Sequence, residues 1–229
     1  MELLNQYLTK LNIEFDDTTI TKFENYYNLL IDYNQKFNLT SITEKNDVII
    51  KHFVDSLYGY QFFKETNYVA DVGAGAGFPS IPLAIILPNV NFTLIDSLNK
   101  RVNFLNIVKE ELQLNNITAV HSRVEDFCSK NRNSFDIATA RAVASLPTLL
   151  EYLVPLLKKG GKAICYKSLN IDNELLMCNN ALKKLNCKLY EKYDYTLQNN
   201  FRSIVIVNSN DICNKCYPRS GNKPKLKPL

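Results

Sequence analysis

Three glycines lie in one short segment, Asp71-Val72-Gly73-Ala74-Gly75-Ala76-Gly77, although the chain of 229 residues contains only seven. The segment follows an apolar run, and another apolar run starts at Ile81. Glycine adopts backbone angles that other residues avoid, so the main chain can lie directly against a ligand. Pro79 favours a helix start, where its missing N–H costs little. The pattern predicts a strand, a ligand-binding turn and a helix; a tight turn without a ligand is the alternative.

Short apolar segments alternate with helical ones from Tyr68 onward, which predicts a mostly parallel sheet covered by helices. The predicted strands are Tyr68 to Val72, Asn91 to Ile95, Thr118 to His121, Phe135 to Ala140, Ala163 to Tyr166, Lys188 to Tyr195 and Arg202 to Val207. The predicted helices are Ile81 to Leu87, Lys100 to Leu112, Leu146 to Leu157 (stopping at Gly160-Gly161) and Asn173 to Leu185. Since no helix separates the last two strands, they should form an antiparallel hairpin.

The residues before this sheet have helical periodicity. On one predicted helix, Thr18 to Phe37, the apolar face comprises Ile20, Phe23, Tyr27, Leu30 and Ile31. On the next, Asp47 to Phe63, it comprises Val48, Ile49, Phe53 and Leu57. We therefore predict a helical extension at residues 1–65, an α/β domain at 66–212 and an irregular basic tail at 213–229.

The composition is that of a globular protein whose core needs no disulfides. With 46% hydrophobic and 22% charged residues, the chain can bury a core without disulfides, and its net charge of +4 permits an anionic partner without requiring one. No secretory signal or membrane-length apolar stretch is present, so a cytoplasmic protein with free thiols is expected. Cys213 and Cys216 form a CxxC pair without a second ligand pair, so no metal site is predicted.

The glycine loop alone does not choose between nucleotide cofactors. Asp96, at the end of the next strand, suits either S-adenosylmethionine or NAD, because a carboxylate can accept both ribose hydroxyls; an ordinary loop aspartate is the alternative. The spacing Gly-x-Gly-x-Gly before Phe78, rather than Gly-x-Gly-x-x-Gly, disfavours a pyrophosphate. The third strand ends in Arg123-Val124-Glu125-Asp126, where carboxylates and backbone groups could read an adenine amino group; a solvated surface cluster is the alternative. S-adenosylmethionine is therefore favoured over NAD.

The order and spacing of several motifs resemble one family, the RsmG (GidB) family of guanine-N7 methyltransferases that act on bacterial small-subunit rRNA. The matching segments are Phe37-Asn38-Leu39-Thr40, His52-Phe53-Val54-Asp55-Ser56-Leu57, Asp71 to Pro79, Asp96-Ser97, Lys100-Arg101, Phe104-Leu105, Arg123-Val124-Glu125, Ala140-Arg141-Ala142, Pro155-Leu156-Leu157 and Tyr217-Pro218-Arg219. The resemblance implies a class I, Rossmann-like methyltransferase fold with a seven-stranded sheet and helices on both faces, preceded by the helical segment.

The resemblance also implies cofactor contacts at Gly73, Phe78, Val124, Glu125 and Arg141, to which the residue pattern adds Asp96, Gly75 and Gly77. Arg141 could instead be a structural ion-pair partner. For 16S rRNA in the small subunit, the candidate contacts are Asn38, Lys51, His52, Asp55, Ser56, Arg141, Lys215, Arg219, Lys223, Lys225 and Lys227. Asn38, His52 and Asp55 could equally cap helices or satisfy one another, and a solvated basic tail is equally compatible with the charge pattern.

Guanine N7 has a lone pair and no proton to lose, so no general base is required. A methyltransferase acting on a small molecule or protein is the first alternative function; a nicotinamide dehydrogenase and a non-catalytic nucleotide-binding adaptor are others. No heptad pattern indicates an obligate assembly, so a monomer is expected.

Overall fold

A computed structural model describes residues 1–168 and 171–229, and within these residues seven strands form one sheet. The strands are β1 (Tyr68–Val72), β2 (Asn91–Asp96), β3 (Ile117–His121), β4 (Phe135–Arg141), β5 (Leu157–Lys167), β6 (Cys187–Leu197) and β7 (Asn200–Ser209). Their order is β3-β2-β1-β4-β5-β7-β6. The predicted mostly parallel, seven-stranded sheet is confirmed, including the antiparallel hairpin of β6 and β7, which pairs with β5 through β7.

The helices alternate with the strands after an N-terminal helical segment, as predicted. They are α1 (Glu2–Lys10), α2 (Asp17–Phe37), α3 (Lys45–Val48), α4 (Asp55–Leu57), α5 (Ser80–Ile86), α6 (Asn99–Glu111), α7 (Val124–Lys130), α8 (Leu146–Leu153), α9 (Ile171–Met177), α10 (Asn179–Lys184) and α11 (Lys223–Leu226). A π-helical segment, Ile49–Val54, joins α3 to α4, and 3₁₀ turns lie at Tyr60–Phe62 and Val154–Leu156. None of the helices in the described ranges is long and apolar enough to cross a membrane.

The described chain forms two compact units. The first comprises Met1–Asn67 with Ala74–His121, and the second comprises Tyr68–Gly73 with Ser122–Leu229. The first unit contains α1 to α6 with the parallel pair β2 and β3, and the second contains β1 with everything after β3. The division at residues 65 and 212 stays a prediction.

In the second unit, β1 and β4 are parallel neighbours, with Val69 opposite Ile137 and Asp71 opposite Thr139. The chain passes from β1 to one side of the sheet and returns to β4 on the other, which is the switch point where open α/β sheets bind ligands. Gly73 follows β1 and Arg141 ends β4, so both lie at this carboxyl edge of the sheet.

The buried face of α2 differs by one residue from the predicted one. Phe23, Tyr26 and Leu30 are buried, whereas Tyr27 is only half-buried. The three buried positions are separated by three and four residues, which keeps them on one side of a helix with 3.6 residues per turn. Tyr26 rather than Tyr27 is therefore the core tyrosine.

The helix that was predicted to run from Leu146 to Leu157 ends at Leu153 and continues only as a 3₁₀ turn. Pro155 lacks the N–H that an α-helix would need there. Gly160-Gly161 lie within β5 instead of stopping the helix: β4 residues Phe135 and Ile137 pair with Leu157 and Lys162, so extra residues bulge from β5. A Cβ at Gly161 would lie 2.9 Å from the Asp136 carbonyl oxygen, which accounts for a glycine in the bulge.

Two other segments also differ from expectation. Val124 and Glu125 start helix α7 and do not end a strand; with only Phe127 and Cys128 buried, this helix leaves little periodicity in the sequence. The basic tail was expected to be irregular, but α11 forms one turn and Pro224 and Leu229 are buried. The tail is therefore attached to the second unit.

Candidate cofactor site

In the first unit, the glycine loop has a backbone that other residues would strain. The φ angles of Gly75 and Gly77 are +60° and +101°. A Cβ at Gly77 would lie 2.3 Å from Ile81 Cγ1 and 2.9 Å from Tyr26 Oη, which is closer than real atoms approach. Gly77 is thus explained by close packing on α5 and α2, a role that the sequence pattern had not assigned to it.

Asp96 holds this loop. Its Oδ2 accepts a hydrogen bond from the Gly75 N–H at 2.9 Å, and its Oδ1 accepts one from the Leu98 N–H at 2.9 Å. Arg101 Nη1 lies 3.4 Å from Oδ2, and Asp96 itself is only 3% exposed. A buried carboxylate with charge-assisted bonds to two backbone amides fixes the spacing between the glycine loop and the end of β2.

Aromatic rings from the N-terminal helices pack around Phe78, the residue that follows the loop. The His52 ring stacks on Phe78 with centroids 4.4 Å apart, and the rings of Tyr26 and Phe53 lie 5.6 and 6.2 Å from it. Tyr26 Oη also donates a 2.6 Å hydrogen bond to the Ala76 carbonyl oxygen. The helical segment therefore holds Ala76 and Phe78 in place.

The predicted RNA contacts of the first unit have different environments. Asn38 is exposed and ends α2 in a left-handed conformation, and Lys51 forms a 2.8 Å ion pair with Asp47. His52 Nε2 lies 2.8 Å from Thr40 Oγ1. Asp55 is only 5% exposed.

Ser56 is fully buried, and its hydroxyl donates to the His52 carbonyl oxygen at 2.6 Å. The RNA contact of Ser56 stays a prediction; in this conformation its hydroxyl is bonded within its own helix. A helical serine satisfies its hydroxyl on the carbonyl four residues earlier, which sequence spacing alone does not reveal.

In the second unit, Gly73 and the loop after β4 lie close together. Gly73 has a φ of +72°, and a Cβ there would lie 2.9 Å from Val143 Cγ2. Arg141, the last residue of β4, is half-buried. Gly73 therefore lets the loop after β4 pack against the end of β1.

Lys167 and Glu174 hold the loop after β4. Lys167 Nζ donates to the Ala144 carbonyl oxygen at 3.0 Å and pairs with Glu174 Oε2 at 2.7 Å. The same Glu174 oxygen accepts the Leu146 N–H at 2.6 Å, at the start of α8. The Lys167 side chain is only 11% exposed, so this pair is partly desolvated and fixes the segment between Arg141 and α8.

The start of α7 borders a cleft of about 400 Å³. Val124 and Glu125 are half-buried there. The cleft is lined by Arg123, Glu125, Asp126, Ser220, Gly221 and Asn222. One wall thus comes from α7 and the other from the C-terminal tail.

Arg219 fixes that tail. Glu151, fully buried on α8, accepts hydrogen bonds from the Arg219 backbone N–H and Nε at 2.8 Å and from its Nη2 at 2.7 Å. These bonds raise the pKa of the Arg219 guanidinium above its ordinary value. The guanidinium is thus engaged by a carboxylate, and its expected phosphate contact stays a prediction. Lys223, the other predicted contact in the tail, is exposed.

The cysteines are free thiols, and five of the six are buried. Burial raises the pKa of Cys128, Cys178 and Cys187 to about 12 and that of Cys213 to about 11. Cys216, the second member of the CxxC pair, is exposed. Residues 1–168 and 171–229 contain no group of three or more potential ligands that could hold a metal ion.

Comparison with known proteins identifies the family. The model of the GidB family, described as rRNA small subunit methyltransferase G, matches residues 19–199. Ribosomal RNA small subunit methyltransferase G of Lactococcus lactis subsp. cremoris (strain MG1363) is 43% identical over 229 residues, covering 97% of this chain and 96% of the relative. The same-named protein of Streptococcus suis (strain 05ZYH33) is 42% identical over 235 aligned residues, covering 100% and 99%.

Solved structures of lower identity share the fold. Pyrococcus horikoshii TYW2 in complex with MeSAdo has a TM-score of 0.56 at 13% identity, with 69% of this chain and 62% of TYW2 covered. A SAM-dependent O-methyltransferase from Thermotoga maritima has a TM-score of 0.53 at 14% identity, with 81% and 72% covered. At this identity the likeness concerns the fold alone. The near full-length similarity of sequence and the match of the family model show that the chain belongs to the GidB family of rRNA small subunit methyltransferase G.

Proposed function

We propose that the protein transfers a methyl group from S-adenosylmethionine to N7 of a guanine in the 16S rRNA of the small ribosomal subunit. The observation that carries the proposal is the similarity, over 97% of the chain, to a relative named ribosomal RNA small subunit methyltransferase G. We place the enzyme in the cytoplasm as a monomer, where it meets the ribosomal subunit.

Each of the two compact units contributes residues that we assign to S-adenosylmethionine binding. We assign cofactor contacts to Gly73, Gly75, Gly77, Phe78, Asp96, Val124, Glu125 and Arg141. A carboxylate has about four lone-pair sites, and two short bonds and one long one occupy the oxygens of Asp96. The long contact, 3.4 Å to Arg101, is the one that a ribose hydroxyl would replace; the Arg101 side chain is 36% exposed and can turn away.

When bound, the cofactor supplies an electrophilic methyl group on a sulfonium. That methyl group would be transferred to the N7 lone pair with a neutral thioether as the leaving group, so the positive charge would pass to the guanine. No proton moves, so a general base is unnecessary and the task of the protein is alignment. Holding reactants in line can contribute about 7–11 kcal/mol. The fixed loops around Gly73 and Gly75 serve this purpose.

For the RNA, we propose contacts from Asn38, Lys51, His52, Asp55 and Arg141, together with the tail lysines Lys215, Lys223, Lys225 and Lys227. Ser56, through the His52 carbonyl oxygen, and Arg219, through Glu151, take positioning roles instead. His52 is half-buried, and its ring is held in one orientation by stacking on Phe78 and by the contact of Nε2 with Thr40.

The test uses labelled S-adenosylmethionine and small ribosomal subunits from cells that lack this activity. Label at one guanine, with chain cleavage there after borohydride and aniline, is the expected result. Asp96→Asn should weaken cofactor binding by about ten-fold or more, because an amide cannot accept from every donor around it. Cofactor binding without any RNA label would overturn the RNA substrate and favour a small molecule or protein as the acceptor.

A further inference from the structure

The C-terminal tail is fixed on both sides of one short loop, Ser220 to Asn222. Before the loop, Arg132 donates from Nη1 to the Tyr217 carbonyl oxygen and from Nη2 to those of Cys213 and Asn214, at 2.9 and 3.0 Å. After it, Thr148 Oγ1 donates to the Pro224 carbonyl oxygen at 2.9 Å. The loop is therefore presented by a tethered chain and not by a free end.

The Arg219–Glu151 pair is the strongest of these attachments. Three donors of Arg219 converge on one carboxylate that is fully buried, and Arg219 Nη2 also donates to the Lys227 carbonyl oxygen at 2.8 Å. A buried carboxylate strongly requires such a partner, since an uncompensated charge there is costly. Arg219 thus fixes the tail against α8 at the residue immediately before the loop.

The loop faces the residues at the start of α7. Ser220, Gly221 and Asn222 line the cleft of about 400 Å³ together with Glu125, which we assigned to the cofactor. Gly221 has a φ of +62°, and a Cβ there would meet nothing within 4 Å, so the backbone of the turn and not close packing accounts for the glycine. Tail and α7 belong to the same compact unit.

We propose that Glu151 and Arg219 are positioning residues for cofactor binding: they hold the Ser220–Asn222 loop opposite Glu125, where it closes one side of the cofactor's adenosine subsite. The proposal rests on the proposed function. Neither residue touches the reacting atoms; the pair acts by preorganising a wall, so that binding does not have to order the tail.

The test measures S-adenosylmethionine affinity by calorimetry for the full-length protein. Arg219→Lys keeps the charge but cannot supply the three converging donors, and Glu151→Met with Arg219→Met removes both charges without leaving one buried alone. We expect the dissociation constant to rise about five-fold or more in both, with kcat at saturating cofactor nearly unchanged. Lys158→Met, which removes an ion pair with Asp136 on β4, serves as the control and should leave affinity unchanged.

Hydrogen exchange of the wild-type protein supplies a readout that does not depend on a variant folding. The amides of Ser220 to Asn222 should become more protected when S-adenosylmethionine is added. Unchanged affinity in a folded variant, or unchanged exchange of these amides in a wild type that binds the cofactor, would overturn the positioning role. A wild type that does not bind S-adenosylmethionine would instead overturn the proposed function.

Discussion

At the scale of single residues, two glycines with a positive φ, Gly77 in the loop and Gly160 in β5, have unequal reasons to be glycine. Gly77 combines a φ of +101° with a neighbour 2.3 Å from the position of an added Cβ, whereas Gly160 has a φ of +79° and open space around it. Comparing the two separates the backbone cost of a side chain from its packing cost.

Gly77→Ala should lower the free energy of unfolding by about 2–5 kcal/mol, because backbone strain and overpacking add. Gly160→Ala should cost only about 1–2 kcal/mol, since it carries the backbone term alone. Urea unfolding of both variants measures the difference. Equal losses would mean that contact with Ile81 and Tyr26 does not explain the glycine.

Asp96 is a second residue whose role is wider than its position suggests. The sequence places an acidic side chain at the end of a strand, where a ribose would bind. In the structure the same carboxylate also holds the Gly75 and Leu98 amides. A residue that shapes the loop and is proposed to bind the ribose cannot be replaced without affecting both.

At the scale of elements, α2 supports the glycine loop through one buried hydroxyl. Tyr26→Phe should cost about 1–3 kcal/mol of stability, because it leaves the Ala76 carbonyl oxygen without the 2.6 Å hydrogen bond from Tyr26. The neighbouring Tyr27→Phe is the matched control; its hydroxyl lies 3.4 Å from the Thr43 carbonyl oxygen at an exposed position, so the loss should stay within about 0.5 kcal/mol. Denaturant unfolding of the two variants measures both losses of stability. A larger loss for Tyr27→Phe than for Tyr26→Phe would contradict the assignment of Tyr26 as the core tyrosine of α2.

The tail element presents its lysines, while Arg219, Pro224 and Leu229 attach it to the rest of the second unit. Lys223, Lys225 and Lys227 are exposed, and no acidic residue follows Lys215. Changing these three lysines to glutamine should reduce the slope of log affinity for rRNA against log salt by up to about 2–3, since each phosphate contact contributes about 0.7–0.9. Filter binding over a salt series measures it.

A matched triple variant distinguishes local contacts from net charge. Lys183, Lys184 and Lys188, on and just after α10, are also exposed, and their change to glutamine removes the same charge. That variant should keep the wild-type salt slope. If both variants lowered the slope equally, the tail would act only through the overall charge of the protein.

At the scale of the whole molecule, burial of the thiols makes stability depend on pH. Their pKa values rise in the folded protein to about 12 for Cys128 and about 11 for Cys213, mainly through desolvation. An unfolded chain ionises its thiols near pH 8.5. The stabilisation is complete below that pH and is lost as pH rises toward the folded values, because only the unfolded state then gains from releasing protons.

The free energy of unfolding should therefore fall between pH 8 and pH 10, and Cys128→Ala should reduce that fall. Thiol labelling at pH 8 gives an independent measure: Cys216 should react at once in the native protein and the five buried thiols only in denaturant. Rapid native labelling of more than one thiol would contradict the burial of the others.

The sequence by itself determined the periodic features of this protein. Every strand of the sheet was predicted to within a few residues apart from β5, because buried strands between turn-forming residues leave a strong local pattern. The glycine loop and Asp96 were also evident, since their chemistry depends on residue type and spacing along the chain. The family followed from the same motifs.

Only the tertiary structure decided which side chains are satisfied by distant partners. Arg219 and Ser56 looked like candidates for RNA in the sequence, but Glu151 lies 68 residues from Arg219, and the burial of Ser56 depends on packing of whole helices. Lys167 and Glu174 gave no local signal either, because their partners are a loop carbonyl oxygen and a helix amide. Hydrogen bonding and burial join residues across space, so spacing along the chain cannot reveal them.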